Sequence, residues 1–346
     1  MSDAPWWRPE RFARKRAFLE TRGRVLAAIR RFFAERGFVE VETPALQVSP
    51  GMEPHLQAFA TELSEPGAGK RRRYLHTSPE FAMKKLLVAG VPRLFQLARC
   101  FRDGERSRTH HPEFTMLEWY RAGASYRELM ADCEALLRAV LAAAGRERFA
   151  WQGNAADPRG SWTYLSVAEA FQRCCGIDLL ATAPDPASPS LALLAAAAAP
   201  LGIAPHPGDE WEDLFFRLFL ERIEPTLGVG APAILYDYPV SMAALARAKP
   251  GDPHLAERFE LYVCGLELAN AFGELTDAAA QRRRFLADQE KKRRRYGETY
   301  PIDEDFLAAL AAGMPESAGI ALGLDRLVML ASGAETIDEV LWAPVQ

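Results

Sequence analysis

Apolar residues along the first third of the chain recur with two different periods. From about Thr21, Val25, Leu26, Ile29, Phe32 and Phe33 share one helical stripe, and Gly37 follows where a left-handed C-terminal residue belongs. The period then drops to two. In "FVEVETPAL", Val39 and Val41 alternate with Glu40 and Glu42 until Pro44, which predicts a strand. "TSPEFAMKKLLVAG" predicts a helix with Ser78 as N-cap, Pro79 at the first helical position and Gly90 as the stop. "RLFQLARCFRD" and "EFTMLEWYRA" are strand-like runs joined by the polar loop 104–112, and "SYRELMADCEALLRAVLAAAG" is an amphipathic helix. Later come a helix around "WEDLFFRLFLERIEP", strands in "APAILYDYP" and "ERFELYVCGLELANAF", and a strand-to-helix run "GIALGLDRLVMLASG". A Pro- and Ala-rich stretch at about 181–210 predicts a surface insertion carrying one alanine-rich helix rather than a domain boundary. Hairpin-paired strands among helices, without βαβ alternation, predict an α+β fold with an antiparallel sheet, organised as one domain over 1–346.

Three segments carry chemistry. If 93–103 and 113–121 pair as a hairpin, Phe114, Met116, Glu118 and Tyr120 share one face. A carboxylate and a phenol beside an aromatic plate make a binding floor, and Arg102 at the strand end can clamp a phosphate in bidentate fashion. In "ERFELYVCGLELANAFGE", a two-residue turn at Cys264-Gly265 would set Tyr262 opposite Glu267, with Glu260 diagonal on the same face. Two carboxylates that close call for a cation between them. In "GIALGLDRLVML", small residues open the backbone to a ligand, and Arg326 offers a second phosphate clamp.

Composition narrows the setting. Charged residues make up 25% of the 346 and the net charge is −4, so polyanion binding would need a local patch rather than the whole surface. The basic runs 70–73, 282–284 and 291–295 are candidates, either solvated faces or a docking surface for an acidic partner. Five cysteines without paired spacing read as reduced thiols, and no apolar run suggests a leader or membrane span. The expectation is a cytoplasmic protein with no DNA or membrane partner.

Taken in order, "GFVEVETPAL", "FRDGERSRTHHPEFTMLEWY" and "GIALGLDRL" resemble motifs 1, 2 and 3 of class II aminoacyl-tRNA synthetases. "HHPEFTMLEWY" with "LELANAFGELTD" is most similar to the lysyl-tRNA synthetase group. The motif 1 helix begins so near residue 1 that a preceding OB-fold has no room, an architecture that resembles the elongation factor P (R)-β-lysine ligase family. The resemblance implies a homodimeric class II catalytic core that forms an aminoacyl-adenylate from ATP, with Mg²⁺, and passes β-lysine to a lysine of elongation factor P. It implies Arg102 and Arg326 as catalytic phosphate clamps, and an ATP site of Arg102, Asp103, Gly104, Glu105, His111, Phe114, Glu267, Leu268, Gly323 and Arg326. Glu260 and Glu267 would carry the metal. Ser78, Glu80, Glu118, Tyr120, Asn270, Glu274 and Ala321 would form the amino-acid pocket, with Glu80 taking the backbone-side amine. Ser78 and Ala321 stand where lysyl synthetases tend to have alanine and glycine, and a methyl at 321 crowds an α-amino group more than a β-amino group. Two departures mark motif 2: the usual Arg-x-Glu reads Arg102-Asp103-Gly104-Glu105, and His111 replaces an asparagine. The alternative readings are a truncated lysyl-tRNA synthetase paralogue acylating tRNA or another acceptor, and, ranked last, a non-catalytic synthetase-like module.

Overall fold

The computed structural model describes residues 5–345 apart from residue 68. Its centre is a nine-stranded sheet formed by β1 (Val39–Glu40), β2 (Arg93–Phe101), β3 (Glu113–Ala122), β4 (Thr163–Ser166), β5 (Ala233–Pro239), β6 (Ala248–Lys249), β7 (Asp252–Val263), β8 (Leu266–Gly273) and β9 (Ser317–Gly323). The strand order is β1-β2-β3-β9-β8-β7-β5-β4, with β6 hydrogen-bonded to β7. The expected antiparallel pairing holds through the middle, but both outer pairs, β1 with β2 and β5 with β4, are parallel. The strand read at 39–41 is correspondingly short. It covers two residues before the chain turns away toward Pro44.

One face of the sheet is closed by α1 (Pro9–Ala34), α3 (Tyr126–Ala144) and α6 (Leu324–Ser332). Phe95, Leu117, Trp119, Ala271 and Ile320 meet Val25, Ile29, Phe33, Leu136 and Leu327 in this core. The N-terminal helix begins at Pro9, well before the stripe at Thr21, because the turns ahead of the stripe also pack: Leu19 is buried and the buried Lys15 donates to the carbonyl of Leu341. A buried knot ties the three motifs together. Arg22 of α1 pairs with Asp325 of α6 and donates to Thr115 Oγ1 of β3, while Asp325 accepts from the Thr115 backbone N–H at 2.6 Å. Breaking such a buried pair from one side costs about 3–5 kcal/mol.

The opposite face is only partly covered. α2 (Glu80–Val88), α5 (Ala278–Tyr296) and the helix Glu304–Gly313 close one end, with Phe81, Phe285 and Phe306 clustered around Leu94 and Tyr120. Helix α2 starts one residue later than expected, at Glu80, with Pro79 ahead of it; Ser78 Oγ still accepts from the Glu80 N–H. The helix read in "WEDLFFRLFLERIEP" is regular only over α4 (Trp211–Leu218), then loosens into a π turn and a 3₁₀ turn ending at Thr226. The alanine-rich helix of the 181–210 stretch is present at Leu191–Ala198, and its Leu194 and Ala198 pack on Leu214 and Phe215 of α4. Trp211 Nε1 donates to Thr182 Oγ1, anchoring that stretch to α4.

Candidate active site

The uncovered face of the sheet forms the floor of a cleft of about 400 Å³. Cross-strand register determines what lies on it. Gln96, Glu118, Ala321, Asn270 and Glu260 pair successively across β2, β3, β9, β8 and β7, so they form one row. Directly opposed residues share a face, so four expected site residues are neighbours by register alone. The next row carries Leu94, Tyr120, Gly319, Phe272 and Arg258.

The β7–β8 hairpin turns at Cys264 and Gly265, whose φ values of 57° and 77° are those of a two-residue primed turn. Tyr262 stands opposite Glu267, as the spacing predicts. A register shift between Leu261 and Tyr262 then has a further effect. Glu267 and Asn270 are three residues apart, an odd step that would send them to opposite faces; the bulge returns both to the cleft.

At one end of the cleft, Arg102 stacks its guanidinium 5.0 Å from the Phe114 ring centroid, and its Nε is enclosed with no hydrogen-bond partner among the described residues. Glu105 reaches the cleft wall and lies 3.8 Å from Arg102, so the displaced motif 2 carboxylate returns to the site through the loop. Asp103 and Gly104 do not line the cleft: Asp103 donates its N–H to Gln57, and Gly104, at φ 77°, turns the chain outward. Arg326 is held across the loop, donating to the carbonyls of Glu267 at 2.8 Å and Thr109 at 3.3 Å, with Nη2 2.7 Å from His110 Nε2. His110 therefore accepts through Nε2, and burial together with Arg326 lowers its pKa. His111 lines the cleft, but both its ring nitrogens are engaged: Nδ1 donates to the Glu113 carbonyl and Nε2 accepts from the Val345 N–H. It can offer a bound nucleotide its ring, not a hydrogen bond.

Glu260 accepts from Arg258 Nη2 at 2.6 Å and from the Tyr262 hydroxyl at 2.5 Å. Burial and the adjacent Glu260 push Glu267 up to about 7, and burial with Glu260 also raises Glu224. No group of three or more His, Cys, Asp or Glu among the described residues forms a ready metal cage. Two mutually repelling carboxylates beside a phosphate-sized space do suit Mg²⁺, which takes one or two protein carboxylates and completes its shell from substrate phosphates and water.

At the other end lie groups the sequence placed in the pocket but which the fold sets beneath its floor. Glu118, Tyr120 and Glu274 are 0%, 3% and 1% exposed. Glu118 accepts from Ser78 Oγ at 2.6 Å and from the Tyr120 hydroxyl at 2.8 Å. Burial pushes Glu118 up to about 8, with Glu80 adding to the effect against the Ser78 hydrogen bond. The buried Lys84 ammonium bridges Glu80 and Glu274, 2.5 Å from the latter. Burial alone would depress Lys84, but the two carboxylates raise it. Gly319 plays a different part from the one expected: a Cβ there would lie within 2.3 Å of both the Tyr120 ring and Glu274 Oε1. It makes room for those side chains rather than for a ligand. Gly323, with only the Arg326 side chain near its Cβ position, does line the cleft.

Residues 7–346 match the family of class II tRNA synthetases (D, K and N). The chain belongs to this family. Within the class II family it is similar to proteins named elongation factor P–(R)-β-lysine ligase. It is 43% identical to that of Vibrio cholerae, over 94% of either chain, and 42% identical to that of Erwinia tasmaniensis, over 99% of this chain and 98% of the other. The Sodalis glossinidius protein of the same name is 43% identical over 99% of this chain. Class II membership accounts for the sheet with flanking helices and for the clustering of motifs 2 and 3 about one cleft.

Among the titratable residues that sequence reasoning missed, Glu53, His110 and Arg258 border the cleft, while Lys84 and Glu224 reach its charged groups. Arg258 was legible in principle, since it lies two residues before Glu260 on one strand face. The others are brought in by loops and helices that no strand periodicity connects.

The basic run 291–295 is mostly spent within the fold. Lys291 pairs with Glu212, Arg294 with Glu210 and Arg295 with Asp213, fastening α5 to α4. Lys292 is buried and donates to the carbonyls of Pro54 and Leu56. Arg284, in the second run, donates to the carbonyls of Ala243, Ala244 and Ala246. Among the described residues, no helix is long and apolar enough to cross a membrane.

Proposed function

We propose that this chain is an ATP-dependent ligase that activates (R)-β-lysine as its adenylate and transfers it to a lysine side chain of elongation factor P. The observation that carries the reading is the row Glu118–Ala321–Asn270–Glu260, which sets an ammonium-seeking carboxylate and a metal-seeking carboxylate on one floor, in a chain similar over nearly its full length to ligases of that name. In the first step, the amino-acid carboxylate attacks the α-phosphorus of ATP and pyrophosphate leaves. This displacement needs alignment and charge neutralisation more than proton transfer.

Arg102 holds the carboxylate against the α-phosphate, and Arg326 draws the leaving phosphates along the opposite wall. Phe114 stacks on adenine, Glu105 takes the adenine edge, and Leu268 and Gly323 flank the nucleotide. Glu260 and Glu267 would hold Mg²⁺, which supplies neutralisation of the phosphate charge. In the second step, a neutral lysine amine of the acceptor attacks the acyl carbon, an amide forms and AMP leaves.

Glu118, Tyr120, Asn270 and Glu274 favour a substrate with a distal ammonium, Ser78 orients Glu118, and Glu80 faces the nearer amine. The Ala321 methyl lies between Glu118 and Asn270, where it presses on an α-amino group and spares a β-amino group. One methyl is worth about 1–3 kcal/mol of discrimination, a preference rather than an exclusion. The ligase acts as a homodimer in the cytoplasm, through the α1 and β1 region, where Val39 and Val48 are exposed.

Pyrophosphate exchange into ATP, measured with β-lysine and α-lysine, tests the activation step. The reading expects a higher kcat/KM for β-lysine; exchange that runs with α-lysine only would overturn it.

A further inference from the structure

The loop 49–57 belongs to none of the three motifs, yet it is firmly held against the cleft. Thr77 donates both its N–H and its hydroxyl to the Pro50 carbonyl at 2.9 Å. The buried Lys292 clasps the carbonyls of Pro54 and Leu56 and reaches Gln57 Oε1 at 3.3 Å. Asp103 donates its N–H to the Gln57 carbonyl at 2.8 Å, fixing the loop to motif 2 next to Arg102. Three separate elements thus position one side chain on this loop, Glu53.

Glu53 lines the cleft together with Ser78, Glu80 and Arg102. Its Oε2 is enclosed and has no hydrogen-bond partner among the described residues. The carboxylate lies against Gly51, where a Cβ would stand 2.8 Å from Oε2 and 2.5 Å from Thr77 Oγ1. The glycine is thus what lets the acid lie in this place. Burial raises the Glu53 pKa and the negative Glu80 raises it further, against its backbone hydrogen bond and the pull of Arg102. Asp288 and Lys292 of α5 are its other charged neighbours.

An enclosed carboxyl oxygen without a donor is costly, and more so if charged. A ligand that brings an ammonium removes that cost, and the position of Glu53 says which ammonium. The distal end of the substrate pocket is the Glu118–Tyr120–Glu274 cluster. Glu53 instead lies in the field of Glu80 and of Arg102, the group assigned to the reacting carboxylate. Resting on the proposed function, we infer that Glu53 binds, together with Glu80, the amino group nearest the substrate carboxylate. The loop 49–57 thereby becomes the specificity element that reads the position of that amine, while the Glu118 row reads the distal one.

The test compares the full-length protein with Glu53→Gln and Glu53→Asp in β-lysine-dependent ATP–pyrophosphate exchange. The inhibitor 6-aminohexanoate, which has the carboxylate and distal ammonium but lacks the nearer amine, serves as the internal control. Glu53→Gln is expected to raise the KM for β-lysine by about tenfold or more, the loss of one charged hydrogen bond. The KM for ATP should stay within about twofold, with 6-aminohexanoate inhibiting both proteins equally or neither, and Glu53→Asp should fall between. An unchanged KM for β-lysine overturns the inference. So does a parallel rise in the KM for β-lysine, the KM for ATP and the inhibition constant, which would mark a merely structural role. If the wild-type protein uses α-lysine and not β-lysine, the functional reading fails on its own, and the same comparison run on α-lysine still decides the part played by Glu53.

Discussion

At the nucleotide end of the cleft, Arg326 is held by the carbonyls of Glu267 and Thr109, and Arg102 stacks on Phe114 beside Glu105, its Nε without a partner among the described residues. At the amine end, Glu118, Glu274 and Lys84 lie under the floor, and burial raises both glutamates above the usual carboxylate range. The first end needs nothing from solution before a polyanion arrives, because guanidinium groups do not titrate. The second holds a proton on Glu118 until a cation displaces it, while Glu274 is already paired with the Lys84 ammonium. A single sheet thus presents a preorganised clamp and a proton-linked pocket, and the two should respond differently to mutation and to pH.

The clamp should be the more sensitive to loss of one group. Arg326→Ala should lower kcat for pyrophosphate exchange by about 10²–10³-fold with little change in the KM for the amino acid, as expected where a group stabilises charge in the transition state. Arg102→Ala should lower kcat by as much while also raising that KM, because Arg102 holds the substrate carboxylate as well. If either variant acts mainly on the amino-acid KM, the two ends are not separate. Glu118→Gln should do the reverse, raising the amino-acid KM by about tenfold or more while the KM for ATP holds.

The pH dependence follows with its sign. Glu118 is pushed up to about 8 from an ordinary 4.5, so it is largely protonated near pH 7 in the ligand-free protein. Binding an ammonium favours its ionised form and releases a proton. The KM for the amino acid should therefore fall as pH rises from about 6 to about 8.5, and calorimetry in buffers of different ionisation enthalpy should detect the released proton. The same shift stabilises the ligand-free fold fully below about 4.5 and loses that contribution as pH rises through about 8, so its Tm should decline over that range. A flat KM profile would remove the proton-linked half of the comparison.

Ala321→Gly should narrow the preference between β- and α-lysine by about tenfold or more. The smallest effect belongs outside both ends. Arg294→Ala with Arg295→Ala should lower Tm slightly, since exposed pairs contribute about 0–1 kcal/mol, and should leave the ratio of transfer to activation unchanged. A selective loss of transfer would restore the docking role that the pairs to α4 argue against.

The hairpin faces were legible because strand periodicity is strict: Phe114, Glu118 and Tyr120 could be placed together from spacing alone, as could Tyr262 opposite Glu267. What that reasoning could not see was depth. Glu118 and Tyr120 share the cleft face but lie beneath it: Gly319 on the neighbouring strand has no side chain, which lets the Tyr120 ring and Glu274 lie low, and Glu118 is engaged by Ser78 and the Tyr120 hydroxyl. Nor could it see the bulge in β8 at Leu268, which puts Asn270 and Glu267 on one face against simple alternation. Glu53 and Lys84 were hidden for another reason. Each is brought to the site by tertiary packing of a loop or helix whose local pattern says only turn or amphipathic helix. The basic run 291–295 shows the converse, since a charge pattern on a helix does not reveal that a facing helix supplies the acids.

The central claim is that the cleft activates β-lysine for delivery to a protein. Its most direct test is single-turnover transfer from the preformed β-lysyl-adenylate complex to elongation factor P and, separately, to lysine-accepting tRNA. The account predicts an alkali-stable β-lysyl amide on a lysine of elongation factor P and no acylated tRNA. Acylation of tRNA with elongation factor P left unmodified would contradict it.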